Sequence, residues 1–239
     1  SDEIFANFRE INTTGMKKGI LFRGSNPFNP AKNKNRYSFV SALLAKHNIR
    51  TVVNLADTDS KLKTAFATAG YDAAYAKRLY DNGNVIALGM AADFFKQDSL
   101  DKIAQGIRFM LAHEGPYFFH CNEGKDRAGA FAAILEAVAG ASAQEIKDDY
   151  MITYMNYYHL SKGDNKYKEL EKITIDHLLY LICNPEMVKK LNSIDWSKTD
   201  STGMDVNAGV KGYLLNCVKI TEAEYNQLKK ILTGNPTAK

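Results

Sequence analysis

The apolar run Pro116-Tyr117-Phe118-Phe119 passes directly into His120-Cys121-Asn122-Glu123-Gly124-Lys125-Asp126-Arg127, and then into an alanine-rich amphipathic stretch at 128–139. A short apolar run, a glycine-bearing loop and a helical pattern with no spacer read as strand, tight turn and helix. That order restricts the fold more than any other stretch. A loop so placed turns its backbone N–H groups toward one spot, and the first turn of the helix adds positive potential there. A phosphate or sulfate ion fits such a loop. The same donors stabilise the thiolate of a cysteine that opens it, here Cys121. Arg127 follows Cys121 with five residues between them, and its planar fork can reach back to two oxygens of the anion. A cation at a helix start opposes the helix dipole, and an anionic partner resolves that conflict. Gly124 lets the backbone close around the anion.

The rest of the chain alternates strand and helix signals up to residue 140. Residues 1–19 form a lead-in segment with a turn at Thr14-Gly15, and 19–24 is a short strand ending at glycine. Residues 25–35 form a polar loop with two prolines, and 37–47 carry apolar residues at helical spacing. The β-branched run 49–55 reads as a buried parallel strand, followed by a helix at 60–69 stopped by Gly70. Residues 75–79 and 84–88 are weaker strand candidates around the turn Asp81-Asn82-Gly83, and 94–113 is a long helical pattern. This alternation predicts an α/β fold with a mostly parallel central sheet flanked by helices. The ligand site then lies beyond the carboxyl ends of the strands, where the Cys121 loop falls.

After Gly140 the pattern is helical. Ser142 with Glu145, and Thr221 with Glu224, are capping boxes that open helices at about 142–158 and 221–234. Residues 166–182 and 185–191 are further helices, and 195–204 is loop. The chain reads as one domain over 1–239, with a core of about 1–140 and a helical C-terminal extension of about 141–239.

A hydrophobic share of 45% in 239 residues can bury a large core. No apolar run has membrane-span length, and the dispersed basic residues behind a net charge of +4 exclude a nucleic-acid stripe. Cys121, Cys183 and Cys217 form neither a disulfide framework nor a zinc ladder, so no metal or cofactor is implied. Cys183 and Cys217 sit in apolar helical patterns as buried inert thiols, although a bridge between them is compatible with the spacing. The chain starts at Ser1, which fits removal of a signal peptide or a cloning tag, and a cytoplasmic or secreted location.

The string His120-Cys121 to Arg127 resembles the signature loop of the cysteine-dependent protein tyrosine phosphatase superfamily. HCNEGKDRAG is most similar to the HCxxGKDRTG loop of the bacterial tyrosine and phosphoinositide phosphatases. Asn7-Phe8-Arg9 and 20–25 resemble that group's NFRD and LYRS stretches, Val52-Val53-Asn54-Leu55 its strand before an arginine (here Ala56), and 213–232 its C-terminal ending. The loop is specific; the flanking matches are individually weak.

That resemblance implies hydrolysis of a phosphomonoester of a protein or phosphoinositide. Cys121 is then the nucleophile of a phosphocysteine intermediate and Arg127 the ligand of the phosphoryl oxygens. The backbone of Asn122, Glu123, Gly124, Lys125 and Ala128 forms the phosphate cradle. Asp126 is the general acid, with Asp93 the runner-up because it precedes Cys121 by 28 positions, and Asp57 and Asp81 behind them. His120 supports the loop, and a satisfied core histidine is equally compatible. Lys125 accompanies acceptance of phosphoinositides in the resembling enzymes, and is also compatible with a solvent-facing role. Tyr150, Tyr154, Tyr157 and Tyr158 suit a packed aromatic stripe, or a lid or substrate wall. The family's Ser or Thr after the arginine, which assists release of the thiolate, is Ala128 here. That departure motivates a phosphate-binding pseudophosphatase as an alternative, and Lys125 an inositol-polyphosphate (phytase-like) phosphatase.

Overall fold

The computed structural model describes residues 1–33 and 36–234. Five strands form one sheet in the order β1-β2-β5-β3-β4: β1 (Arg9–Glu10), β2 (Leu21–Gly24), β3 (Thr51–Asn54), β4 (Val85–Ala87) and β5 (Tyr117–His120). β2, β5, β3 and β4 run parallel, and β1 pairs antiparallel with β2 at one edge. β5 is central. Tyr117 pairs with Leu21 and Thr51, and His120 with Gly24 and Asn54, so the segment after His120 leaves the middle of the sheet at its carboxyl edge.

Successive strand residues face opposite sides, and each side has its own core. Phe118 and Val52 join Phe8, Phe22, Leu43 and Leu44, whereas Phe119 and Val53 join Ile103, Ile107 and Phe131. Both faces are covered, which is why β3 and β5 are apolar in consecutive positions rather than alternately. α1 (Asp2–Phe5), α2 (Pro30–Asn33), α3 (Tyr37–Lys46), α4 (Asp59–Phe66) and α5 (Ala74–Asp81) precede α6 (Gln97–Ala112), α7 (Asp126–Ala139) and α8 (Ala143–Tyr158). α9 (Asn165–Glu171) runs through a π-helical turn at Lys172–Asp176 into α10 (His177–Cys183). A 3-10 segment, Pro185–Ser193, leads on to α11 (Val206–Tyr213) and α12 (Glu222–Thr233). α12 packs on α6 and α7, and α11 on α7 and α10. Ile146, Leu179, Val210 and Leu228 therefore share the core of Phe119.

Both capping boxes form as their residues dictate, and Gly234 ends α12 in the left-handed conformation. The predicted strand at 75–79 is instead the interior of α5, with Ala76 and Leu79 buried. Parallel pairing of β3 with β4 requires a crossover on one face, and α5 supplies part of it. The predicted loop 25–35 contains the single turn of α2, and its residues 34 and 35 lie outside the described residues. The long helix starts at Gln97 rather than at 94. α11 carries no clear sequence signal because Gly209 and Gly212 interrupt it. A Cβ on Gly209 would lie 2.4 Å from Cys183 Sγ, so the glycine is what lets α10 and α11 pack. Cys183 and Cys217 are free thiols and half-buried rather than buried. Among the described residues, no helix is long and apolar enough to cross a membrane.

Phe131, 1% exposed, stacks edge-on against Phe119 at 5.3 Å and fixes α7 to β5. Phe131→Ala is expected to lower unfolding free energy by about 3–5 kcal/mol, measured by chemical denaturation; a loss below about 1 kcal/mol would contradict this packing role.

Candidate active site

The loop between β5 and α7 is held by its carbonyls. The Cys121 carbonyl accepts from His120 Nδ1 at 2.9 Å, and the Asn122 carbonyl from the Asn26 N–H at 3.0 Å. Glu123 accepts from Asn7 Nδ2 at 2.9 Å and Gly124 from Arg23 Nη2 at 2.8 Å. The Lys125 carbonyl accepts from the Gly129 N–H at 2.7 Å and from Arg23 Nη2 at 3.3 Å. In a trans peptide the N–H points opposite to the C=O of the same plane. Five consecutive planes are thus oriented so that the N–H groups of residues 122–126 face away from these donors. None of the five donates to another protein group among the described residues. Gly124 has φ +75°, and a Cβ there would lie 2.3 Å from the Gly24 carbonyl oxygen, so this glycine is required on both counts.

Cys121, Asn122, Glu123, Lys125, Asp126 and Arg127 line one side of a cavity of about 400 Å³, and Met90, Ala91 and Ala92 line the other. Cys121 is buried. Arg127 Nη1 donates to the Met90 carbonyl at 3.0 Å, which ties the two walls together. Asp126 is exposed and accepts from the Tyr150 hydroxyl at 3.3 Å. Burial pushes the Tyr150 hydroxyl up, so Tyr150 remains a donor. Lys125 Nζ lies 5.5 and 5.3 Å from the rings of Tyr154 and Tyr158 and donates to the Tyr158 hydroxyl at 3.1 Å. Burial opposes the Lys125 charge, yet Tyr158 and the carboxylates of Asp126 and Glu123 hold its ammonium well above the usual range.

The other predicted residues lie outside this cavity. Asp93 is half-exposed, 3.3 Å from Lys96 Nζ, and caps the Phe95 N–H. Asp57 is buried, with its carboxylate taken up by the amides of Asn26, Asn29 and Asn54. Asp81 pairs with Lys77 on α5. His120 and Ala128 sit behind the loop without exposed surface. The tyrosine stripe divides: Tyr150 and Tyr154 are buried against the core, and Tyr158 is exposed beside Lys125.

Asn7, Arg23 and Asp149 bear on the loop without standing in the signature. Arg23 is fully buried and bridges Gly124 to Asp149 Oδ2, which lies 2.6 Å from its Nη1. Arg9 occupies the other carboxylate oxygen at 2.8 Å. Burial works against ionisation of Asp149, but the two arginines prevail and hold it down at about 2. Glu136 lies in the same buried cluster, and there burial and the Asp149 charge push the carboxyl well up, although Arg23 and Arg9 resist. Removing one partner from such a buried pair costs about 3–5 kcal/mol. Asn7, Arg9 and Arg23 fall in the stretches 7–9 and 20–25, which showed family likeness but no site role. Asp149 carried no signal, because a lone aspartate in a helix is unremarkable until its partners are known.

The tyrosine phosphatase family matches residues 3–234 of the chain. Among solved structures, the core catalytic domain of the PP-IP phosphatase SIW14 from S. cerevisiae, in complex with citrate, is similar at 15% identity with a TM-score of 0.40. That match covers 81% of this chain and 96% of that chain. No curated protein matches the chain in sequence.

Burial, aided by the Arg127 charge, holds His120 at about 4 against the ordinary 6.5, although the Cys121 carbonyl and Asp57 resist. In that window the unfolded chain binds a proton that the native state does not. The stability due to neutral His120 is therefore complete above about 6.5 and is lost as pH falls through about 4. Denaturation across this range is expected to show a steeper decline in the wild type than in His120→Asn; equal slopes would refute it.

Proposed function

The chain belongs to the tyrosine phosphatase family, and on that premise we propose that Cys121 is the nucleophile of a phosphomonoester hydrolase working through a phosphocysteine. The observation that carries this reading is the common orientation of the five consecutive peptides that follow Cys121, with Arg127 at their end. In the first step the Sγ–P bond forms and the ester P–O bond breaks. Arg127 and the loop N–H groups then hold the equatorial oxygens, where charge accumulates. Asp126 gives its proton to the leaving oxygen. In the second step Asp126, now a carboxylate, takes a proton from water as the water attacks phosphorus and the thiolate departs. Asp126 is chosen over Asp93 because it lines the cavity and Asp93 does not. Ala128 offers no hydroxyl to the departing sulfur, so the second step is the slow one.

The substrate we propose is phosphotyrosine in a protein: the exposed Tyr158 ring beside the loop suits a planar phenyl phosphate. A second reading, a phosphoinositide or inositol polyphosphate, is favoured by the ammonium of Lys125 at the cavity wall. The two are separated by a panel of phosphotyrosine peptide, phosphoinositide and phytate.

Cys121→Ser is expected to abolish turnover of p-nitrophenyl phosphate, assayed without added metal; retained turnover sinks the assignment. Asp126→Asn should lower kcat by about 10²–10⁴-fold, with a smaller loss for a substrate whose leaving group needs no proton. Wild type should release a burst of nitrophenol before a slow steady state, and Ala128→Ser should speed the steady phase without enlarging the burst. A wild-type time course without a burst would contradict slow release of the intermediate.

A further inference from the structure

Arg9 forms no part of the cavity beside Cys121, yet its hydrogen bonds lead there along two routes. Its Nη1 donates to Asn7 Oδ1 at 3.1 Å, and Asn156 Nδ2 donates to the same oxygen at 3.0 Å. With Oδ1 so engaged, the Asn7 amide can only present Nδ2 to the Glu123 carbonyl, 2.9 Å away. On the second route Arg9 Nε donates to Asp149 Oδ1 and Nη2 to the Asp149 carbonyl, both at 2.8 Å. Asp149 Oδ2 takes Arg23 Nη1, and the other end of that guanidinium takes the Gly124 carbonyl at 2.8 Å. The two routes end on adjacent carbonyls.

We infer that Arg9 is a positioning residue for phosphate binding, fixing through Asn7 and through Asp149–Arg23 the two peptide planes that carry the Gly124 and Lys125 N–H groups. The inference rests on the Cys121 loop being the phosphate site. The planar fork of arginine is what the arrangement uses. Three nitrogens in one plane reach Asn7 and Asp149 together, and a lysine ammonium keeps the charge but cannot span both. The competing role is mechanical. Arg9 lies in the edge strand β1 and its bonds to Asp149 pin that strand to α8, so it could serve stability alone. The two roles differ in what they predict for the loop in a molecule that stays folded.

The test is Arg9→Lys in the full chain, with orthovanadate as the probe of the loop and p-nitrophenyl phosphate as substrate, below the unfolding midpoint. The vanadate inhibition constant is expected to rise by about tenfold and kcat/KM to fall by a similar factor, since small displacements of donors weaken transition-state binding most. Asn7→Ala, which breaks one route, should raise the inhibition constant by about threefold, and combining it with Arg9→Lys should add little, because the two share a path. A lowered midpoint with unchanged vanadate affinity would overturn the inference, as would losses that multiply in the double variant. If Arg9→Lys does not fold, Asn7→Ala, which cuts the route from Arg9 to the Glu123 carbonyl, carries the test alone. An increase of about threefold in the inhibition constant then supports the inference, and no change overturns it. Wild type that is not inhibited by vanadate would instead sink the reading of the loop itself.

Discussion

The fully buried guanidinium of Arg23 is the interaction on which the site depends. It carries a permanent charge into a region with no exposed surface, which is costly unless the fork meets acceptors and a counter-charge; Nη1 and Nη2 are so met, while Nε has no partner among the described residues. The counter-charge is Asp149 on α8, and the acceptors are the carbonyls of Gly124 and Lys125. One side chain therefore balances an electrostatic cost of the core against the geometry of the loop. Glu136, its carboxyl pushed up by burial and the Asp149 charge, belongs to the same balance: ionising it would place a second anion beside Asp149 with neither oxygen satisfied by the described residues.

The strand–loop–helix order at 116–139 was legible because its three parts obey different local rules with no spacer between them. The position of the loop at the carboxyl edge followed from the alternation of strands and helices before residue 140, and β5 lies in the middle of that sheet. Other elements were hidden for physical reasons. Tyr75 and its neighbours satisfy a strand pattern over five residues, and only the demand for a crossover between β3 and β4 turns them into helix. The glycines of α11 look like breakers when they are sites of close helix contact.

The site divides along the same line. Cys121, Gly124 and Arg127 could be read from spacing, because their relation is local. Asn7, Arg23 and Asp149 could not, because their relation to the loop exists only after residues more than a hundred positions apart have met. The candidate acids show the difference in miniature. Asp126 and Asp93 were both plausible in the sequence, and it is the wall of the cavity that separates them.

The hydrogen bonds from Asn7 and Arg23 to the loop also set an order of events for a chain emerging from the ribosome. β1 and β2 are made early, but the donors they carry have no acceptors until β5 and its loop arrive, and Arg23 has no counter-charge until α8 follows. Contacts so distant in sequence are the slow ones to form. The nascent segment around Arg23 must wait, with a cation that cannot yet be buried, until Asp149, 126 positions later, has been synthesised. A truncated chain ending before Asp149 would hold the signature loop and still lack the carboxylate that aims Arg23 at it.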